Sequence, residues 1–225
     1  KTGGSTLSAG GSTVNLTLNG DLTLYSPFTA PTGNLSVAGN WTTSVYFTHN
    51  SGTVTFNKSG TSLLNNDETF CNLVVSSGTT LNVQTNTITI AGGCLLTNSG
   101  ALQRNSVQTV DGASGSVTFN NHLGQSAALL TSTGTSHLGS TTVTVHSGDT
   151  LPANSFGTSC PARASAVRRY LNIVPTTTSN VKATIRFDYL DIQLNSNTES
   201  SLALWHCANN LWTEVVGTYT RDSTA

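Results

Sequence analysis

Short β-branched runs, each closed by Gly, Asn, Ser or Asp, recur along most of this chain: "NLSVAG", "GTVTFN", "NLVVSSG", "TLNVQTN", "TITIAGG", "GSVTFN" and "TTVTVHSG". They return faster than the strands of an ordinary sandwich, and helical periodicity is nearly absent. Short strands with polar corners at each end are the pattern of a solenoid, in which successive coils stack and bury a common core. "GTVTFN" at residues 52–57 comes back as "GSVTFN" at 115–120, a shift of 63 positions. Three coils of about 21 residues produce that shift. The fold class expected is all-β, with a β-solenoid over residues 33–152.

The cysteines fit the same geometry. Four are present, Cys71, Cys94, Cys160 and Cys207, with no C-x-x-C pair. Cys71 and Cys94 lie 23 positions apart, close to one coil. Stacked strands are about 4.8 Å apart and a disulfide needs Cα atoms roughly 4.4–6.8 Å apart, so a bridge between neighbouring coils is expected. A second bridge, Cys160 to Cys207, is the preferred use of the other two. An even cysteine set without zinc-type spacing favours an oxidising compartment. The chain also contains no Met, from which removal of a secretion leader is expected. Both point to an extracellular or cell-surface location.

Composition narrows function further. Charged residues make up 8% of the 225 positions and the formal net charge is -1. Such a surface gives no electrostatic case for nucleic acid or an anionic membrane. No apolar run approaches the roughly 20 residues of a membrane span. After "HSGDTLPANSFGTSCP" the strands lengthen and become richer in Arg and aromatics: "AVRRYLNIVP", "VKATIRFDYL", "SSLALWHC" and "LWTEVVGTY". Residues 153–225 are therefore expected to form a separate antiparallel β-sandwich.

Together these segments resemble secreted prokaryotic surface proteins. In that family a right-handed parallel β-helix with "G-N-W…F…G-T-V-T-F" and "F-x-N-L-x-V" coils precedes a β-sandwich. The matching stretches are residues 39–41, 52–56 and 70–75. The sandwich strands "V-x-R-Y-x-I-x-P", "A-T-I-x-F-x-Y-x-D" and "S-L-x-L-W…W" match residues 167–175, 183–191 and 201–212. Sandwiches of that kind close with a strand ending in something like "F-S-P-F-T". Here the "GTYTRDSTA" end lacks it, and "YSPFT" stands near the front of the chain instead, within residues 1–32. The resemblance implies a structural protein rather than an enzyme.

That displaced stretch has its own pattern. Val14, Leu16, Leu18, Leu22, Leu24 and Phe28 occupy even positions, with Asn15, Thr17, Asn19, Asp21, Thr23 and Tyr25 between them. Extended backbone places the even set on one face. Burial of six such side chains contributes about 10 kcal/mol, and an uncovered edge of this kind is an aggregation hazard. Three fates are open. The strand forms the first coil of its own solenoid, folds back onto its own sandwich, or completes the sandwich of a neighbouring copy. The third accounts for the displaced "YSPFT", and names Val14, Leu16, Leu18, Leu22, Leu24, Tyr25 and Phe28 as a donor strand. The acceptor is then formed by Tyr170, Ile173, Ile185, Phe187, Tyr189, Leu202, Leu204, Trp212 and Val215. Contacts of that type run head to tail and propagate, so a homopolymeric extracellular filament is expected.

Chemistry has few footholds. Glycoside hydrolysis needs two opposed carboxyl groups, and the acids Asp67, Glu68, Asp111 and Asp149 show no spacing that predicts them. Asp67 and Glu68 read as a polar corner. His49, His122, His137, His146 and His206 are scattered without metal-ligand spacing. Arg168 and Arg169 point to opposite faces of an alternating strand, which favours ion pairing in the sandwich over nucleic-acid contact. No catalytic residue, metal or cofactor is expected. The rival class is a carbohydrate-active or carbohydrate- or ice-binding β-helix, for which Thr-rich faces such as "TNTITI" and surface glycans as partners are the argument. Asn15, Asn34, Asn40 and Asn57 head N-x-S/T sequons and are candidate glycan acceptors.

Overall fold

The computed structural model describes residues 7–8, 13–112, 115–148, 161, 163 and 165–216. After β1 (Leu7–Ser8), strands come in threes, one coil at a time. The first coil holds β2 (Leu16–Leu18), β3 (Leu22–Leu24) and β4 (Phe28–Thr29). The second holds β5 (Asn34–Val37), β6 (Trp41–Thr43) and β7 (Phe47–Thr48). β8 (Thr53–Phe56), β9 (Gly60–Leu63) and β10 (Glu68–Phe70) form the third, and β11 (Asn72–Val75), β12 (Thr79–Asn82) and β13 (Ile88–Ile90) the fourth. A fifth begins with β14 (Leu96–Asn98) and passes into β15 (Ala101–Val110). The chain is thus a parallel β-solenoid of about five turns.

Register explains how the coils stack. Leu16, Leu35, Val54, Leu73 and Leu96 pair in succession, in steps of 19, 19, 19 and 23 residues. Two positions on, Leu18, Val37, Phe56 and Val75 form a second inward row. Because side chains alternate faces, these rows share one core. Trp41 lies at its centre, its ring 4.8 Å from Phe47, 5.4 Å from Phe70 and 5.8 Å from Phe56. Corners are tight. A Cβ on Gly52 would stand 2.2 Å from the Pro31 carbonyl oxygen, and one on Gly39 only 2.3 Å from the backbone of Gly20.

The step from 19 to 23 residues is where the disulfide lies. Cys71 and Cys94 are bonded with their Cα atoms 4.9 Å apart, just ahead of the paired residues Leu73 and Leu96. The bridge between neighbouring coils expected from spacing is therefore present. Cys207 is also disulfide-bonded, while Cys160 lies outside the described residues.

Beyond β15 the strands become antiparallel: β16 (Ser116–Asn120), β17 (Ser126–Ser132), β18 (Gly139–Gly148), β19 (Arg169–Pro175), β20 (Ala183–Phe187), β21 (Trp205–Ala208) and β22 (Leu211–Glu214). β15 is the switch, pairing in parallel with β12 on one side and antiparallel with β18 on the other. One sheet consequently runs β9, β12, β15, β18, β19. Its far part faces the β16–β17–β20 sheet across a second core of Val110, Val117, Phe119, Leu130, Val143 and Val145, with Leu171 and Ile173 against it. The antiparallel layer thus draws on residues well before 153, and the composition change near residue 150 marks no break in the sheet.

The echo of "GTVTFN" in "GSVTFN" also receives a different explanation. The first copy is a parallel rung, β8, whereas the second is β16, an antiparallel strand paired with β17. An alternating V-T-F stretch suits any half-buried strand, so it carries no information about which neighbour it meets. The coils are 19 to 23 residues long in register, and the shift of 63 does not count three of them.

Candidate interaction surface

The stretch expected to be a donor strand is bound inside its own solenoid. Leu16–Leu18 pairs with Leu35–Val37, Leu22–Leu24 with Trp41–Thr43, and Phe28–Thr29 with Phe47–Thr48. This is the first of the three fates. Leu24 and Phe28 are buried, Leu16, Leu18 and Leu22 are half-buried, and Val14 is 59% exposed. Tyr25 points outward. The apolar row is thus partly covered and thins out towards the end of the core.

Its outer side is an edge. Among the described residues, β2 ends a five-stranded sheet and β3 ends a two-stranded one, each with a neighbour on one side alone. Edge strands are usually blunted by Lys, Pro or a bulge. Here the exposed side chains are Thr17 and Thr23, and the nearby, exposed Asp21 accepts a hydrogen bond from the Asn40 backbone N–H of the next coil at 2.7 Å. β2 also stands at the opposite end of its sheet from β14, where the antiparallel layer begins. The second fate, folding back on the chain's own sandwich, is closed because the segment pairs with β5, β6 and β7 instead.

The expected acceptor residues fall in several places. Tyr170 and Ile173 lie on β19, within the long sheet, and Ile173 packs on the second core. Ile185 and Phe187 lie on β20, an edge strand whose side chains are largely exposed. Tyr189 donates its hydroxyl to Glu199 at 3.0 Å. Trp212 lies on β22 and donates Nε1–H to the Pro161 carbonyl, while Arg163 stands 4.4 Å above the ring of Trp205 on β21. Leu202 and Leu204 precede that hairpin, and Leu204 accepts from the Val215 backbone. Ile185, Trp205, Leu211 and Val215 all remain exposed.

Polar corner residues tie coil to coil. Asn15 accepts from the backbone N–H of Asn34, Asn40 from Leu63, Asn66 from Thr43, Asp67 from Thr87 and Asn72 from Leu95, at 2.8–3.2 Å. Each bond satisfies a backbone N–H at or just outside a strand end. Three of the four sequon asparagines are committed in this way or otherwise. Asn15 and Asn40 use their Oδ1, and Asn34 bonds both Ser36 and Thr55 at 2.8 Å. Asn57 is exposed.

Glu68 departs from the corner role read from sequence. It is buried beside Trp41, accepting from the indole N–H at 3.1 Å and the Thr43 hydroxyl at 3.0 Å. Burial pushes its carboxyl above the ordinary range, against the pull of those bonds and of the Thr69 backbone N–H. No local signal announces this, because only stacking places Trp41 across from it. For Arg169 the expected ion pairing takes another form. Arg169 is buried and donates Nη1–H to the Asp188 backbone carbonyl, while the Asp188 carboxylate pairs with Arg186 at 2.8 Å. Arg168 is half-buried and bonds Asn195 at 3.3 Å. Among the described residues no three His, Cys, Asp or Glu side chains gather as a metal site. Among the described residues no helix is long and apolar enough to cross a membrane.

No family model, curated protein or solved structure matches the chain.

Proposed function

We propose that this protein is a non-enzymatic structural subunit of an extracellular filament whose copies join head to tail through the first coil of the solenoid. The observation that carries this reading is that, among the described residues, β2 and β3 have no strand on their outer side, whereas β1 pairs with β4 on the third face of the same coil. β2 lies at the far end of its sheet from β14, so the described antiparallel strands of the same copy do not cover it and those of a neighbouring copy are available to meet it. Exposed apolar side chains on β20, β21 and β22 supply a surface for it to meet. The contact is heterologous, and heterologous contacts grow into filaments unless they close a ring. Two modes satisfy it. A neighbour adds a strand to the open edge, or the 14–28 segment leaves its coil and completes the neighbour's sandwich. Edge addition is favoured, since release requires breaking three strand pairings.

Electron microscopy of the purified chain tests the reading, alongside a double variant Thr17→Lys, Thr23→Lys that charges the edge without touching the core. Fibres from the natural chain and monomers from the variant are expected. Fibres unchanged in the variant, or monomers from both at high concentration, would sink it.

A glycan-binding role is the second reading. Tyr25 and Tyr46, both strongly exposed, occupy the corner between second and third strands of successive coils, and aromatic faces of this kind suit sugar rings. Retention on insoluble polysaccharide, lost in Tyr25→Ala with Tyr46→Ala, separates it from the first.

A further inference from the structure

At the sandwich end of the solenoid the core does not finish on apolar side chains. Leu18, Val37, Phe56 and Val75 form one inward row, and the next residue in register is Asn98. In the neighbouring sheet Leu81 and Leu102 stand in a row whose next members are Ser147 and then Arg169. Both rows therefore turn polar at the same place. Between them lies a cavity of about 170 Å³. Leu96, Leu102 and Leu123 give it an apolar wall, Asn98, Ser147 and His122 a polar one, and the exposed Ile192 sits at its mouth.

The polar wall is unsatisfied. The Ser147 side chain is 4% exposed and its hydroxyl has no hydrogen-bond partner. Asn98 spends its amide N–H on the Ser147 carbonyl at 3.2 Å and leaves its buried Oδ1 without a donor. Behind Ser147, Arg169 is 3% exposed with Nε and Nη2 both unpartnered. Buried polar atoms without partners are rare and each carries a desolvation penalty. The local field is positive as well. His122, 5% exposed, is held neutral first by burial and then by the charges of Arg169 and Arg104. The acids that act on those arginines are Asp188, already bonded to Arg186, and Asp67, already bonded to Thr87.

We propose that this cavity binds a short hydroxy-carboxylate. Its carboxylate accepts from Ser147 in the positive field of Arg168, Arg169 and Arg104, its hydroxyl donates to Asn98 Oδ1, and its carbon body rests on Leu96, Leu102 and Leu123. Size sets the limit: a cavity of about 150 Å³ holds a benzene-sized molecule, so about six non-hydrogen atoms fit. Ligands that small bind at best with modest affinity.

Lactate, butyrate and glycerol are the probes, titrated into the full chain by NMR at neutral pH with the His122 ring as reporter. Lactate is expected to saturate, with butyrate, which lacks the hydroxyl, and glycerol, which lacks the charge, each about tenfold weaker, the loss of one hydrogen bond or one charge. Ser147→Ala should weaken lactate to a similar degree. Should that variant fail to fold, the exposed mouth decides: Ile192→Asp weakens lactate and Ile192→Lys does not. Glycerol binding as well as lactate, no saturable shift at His122, or indifference to the charge at position 192 each overturns the proposal, leaving a cavity filled by water.

Discussion

The two ends of this molecule bury polar groups in opposite ways. Along the solenoid, buried polarity is mostly local and paired: Glu68 takes hydrogen bonds from Trp41 and Thr43, and side chains near the corners cap N–H groups of the neighbouring coil, with the Ser62 hydroxyl an isolated exception. At the antiparallel end, Ser147, Asn98 and Arg169 keep buried atoms without partners, and His122 is held neutral with its pKa lowered to about 3. A stack of similar coils gives most polar groups the same kind of neighbour one rung away. Where parallel strands give way to antiparallel ones at β15 that regularity ends, and groups meet whose positions no repeat has matched. The lesson is that regular stacking supports stability, and its interruption leaves room for a ligand.

The largest test of this contrast is packing. Trp41→Ala, at the centre of the solenoid core, is expected to lose about 3–5 kcal/mol of unfolding free energy, while Leu211→Ala on the exposed hairpin should change it by less than about 0.5 kcal/mol. Urea denaturation of both variants measures the difference, and equal effects would show that the solenoid does not dominate stability.

Next come the glycines. In the solenoid Gly52→Ala drives a methyl group into the Pro31 carbonyl, and a loss of about 3 kcal/mol is expected from the backbone shift it forces. Gly115, ahead of β16, has a φ of +63° and open space around its missing Cβ. Its replacement by Ala should therefore show only the left-handed backbone penalty of about 1–2 kcal/mol. Thermal unfolding ranks the two, and a larger effect at Gly115 would contradict the close approach of neighbouring coils.

Removing the bridge by Cys71→Ser with Cys94→Ser opens the longest coil step, 23 residues. A loss of about 3 kcal/mol is expected on chain-entropy grounds. Hydrogen exchange should show it concentrated in β11 and β14, with the β16–β17–β20 sheet unaffected; uniform loss of protection would mean the two regions unfold as one.

Per pH unit the smallest effect is in pH dependence, and its sign differs between the regions. The folded pKa of His122 lies far below the ordinary 6.5, so its contribution is complete above that value and is lost as pH falls towards about 3. Glu68 is raised, so its contribution is complete below 4.5 and is lost as pH rises through the folded value. Each group contributes a slope of at most about 1.4 kcal/mol per pH unit. His122→Gln should flatten the acid limb, and Glu68→Gln should remove the loss on raising pH above the carboxylate range. Unchanged profiles in both variants would place the titrating groups elsewhere.

Much of the solenoid is legible in the sequence alone. Alternating β-branched runs with polar corners allow little but short half-buried strands, and Cys71 and Cys94 are spaced for neighbouring coils. The 14–28 stretch was legible as a strand with one apolar face, yet its partner was not. The same Val, Leu and Phe pattern pairs equally well with a coil or a sandwich, and Leu16 finds Leu35 only once the first coil has closed. Glu68, beside an ordinary corner aspartate, gave no hint of burial, and Asn98 and Ser147 look like any other polar residues in a Ser- and Asn-rich chain.

Local alternation therefore settled on its own that this chain is all-β, where its strands are short and which cysteines can meet, because those depend on neighbours along the backbone. The three-dimensional stack alone decided where parallel pairing stops, which carboxyl group enters the core and where two rows of inward side chains turn polar together. Those outcomes depend on residues brought together from different coils. Spacing along the chain carries no record of such meetings.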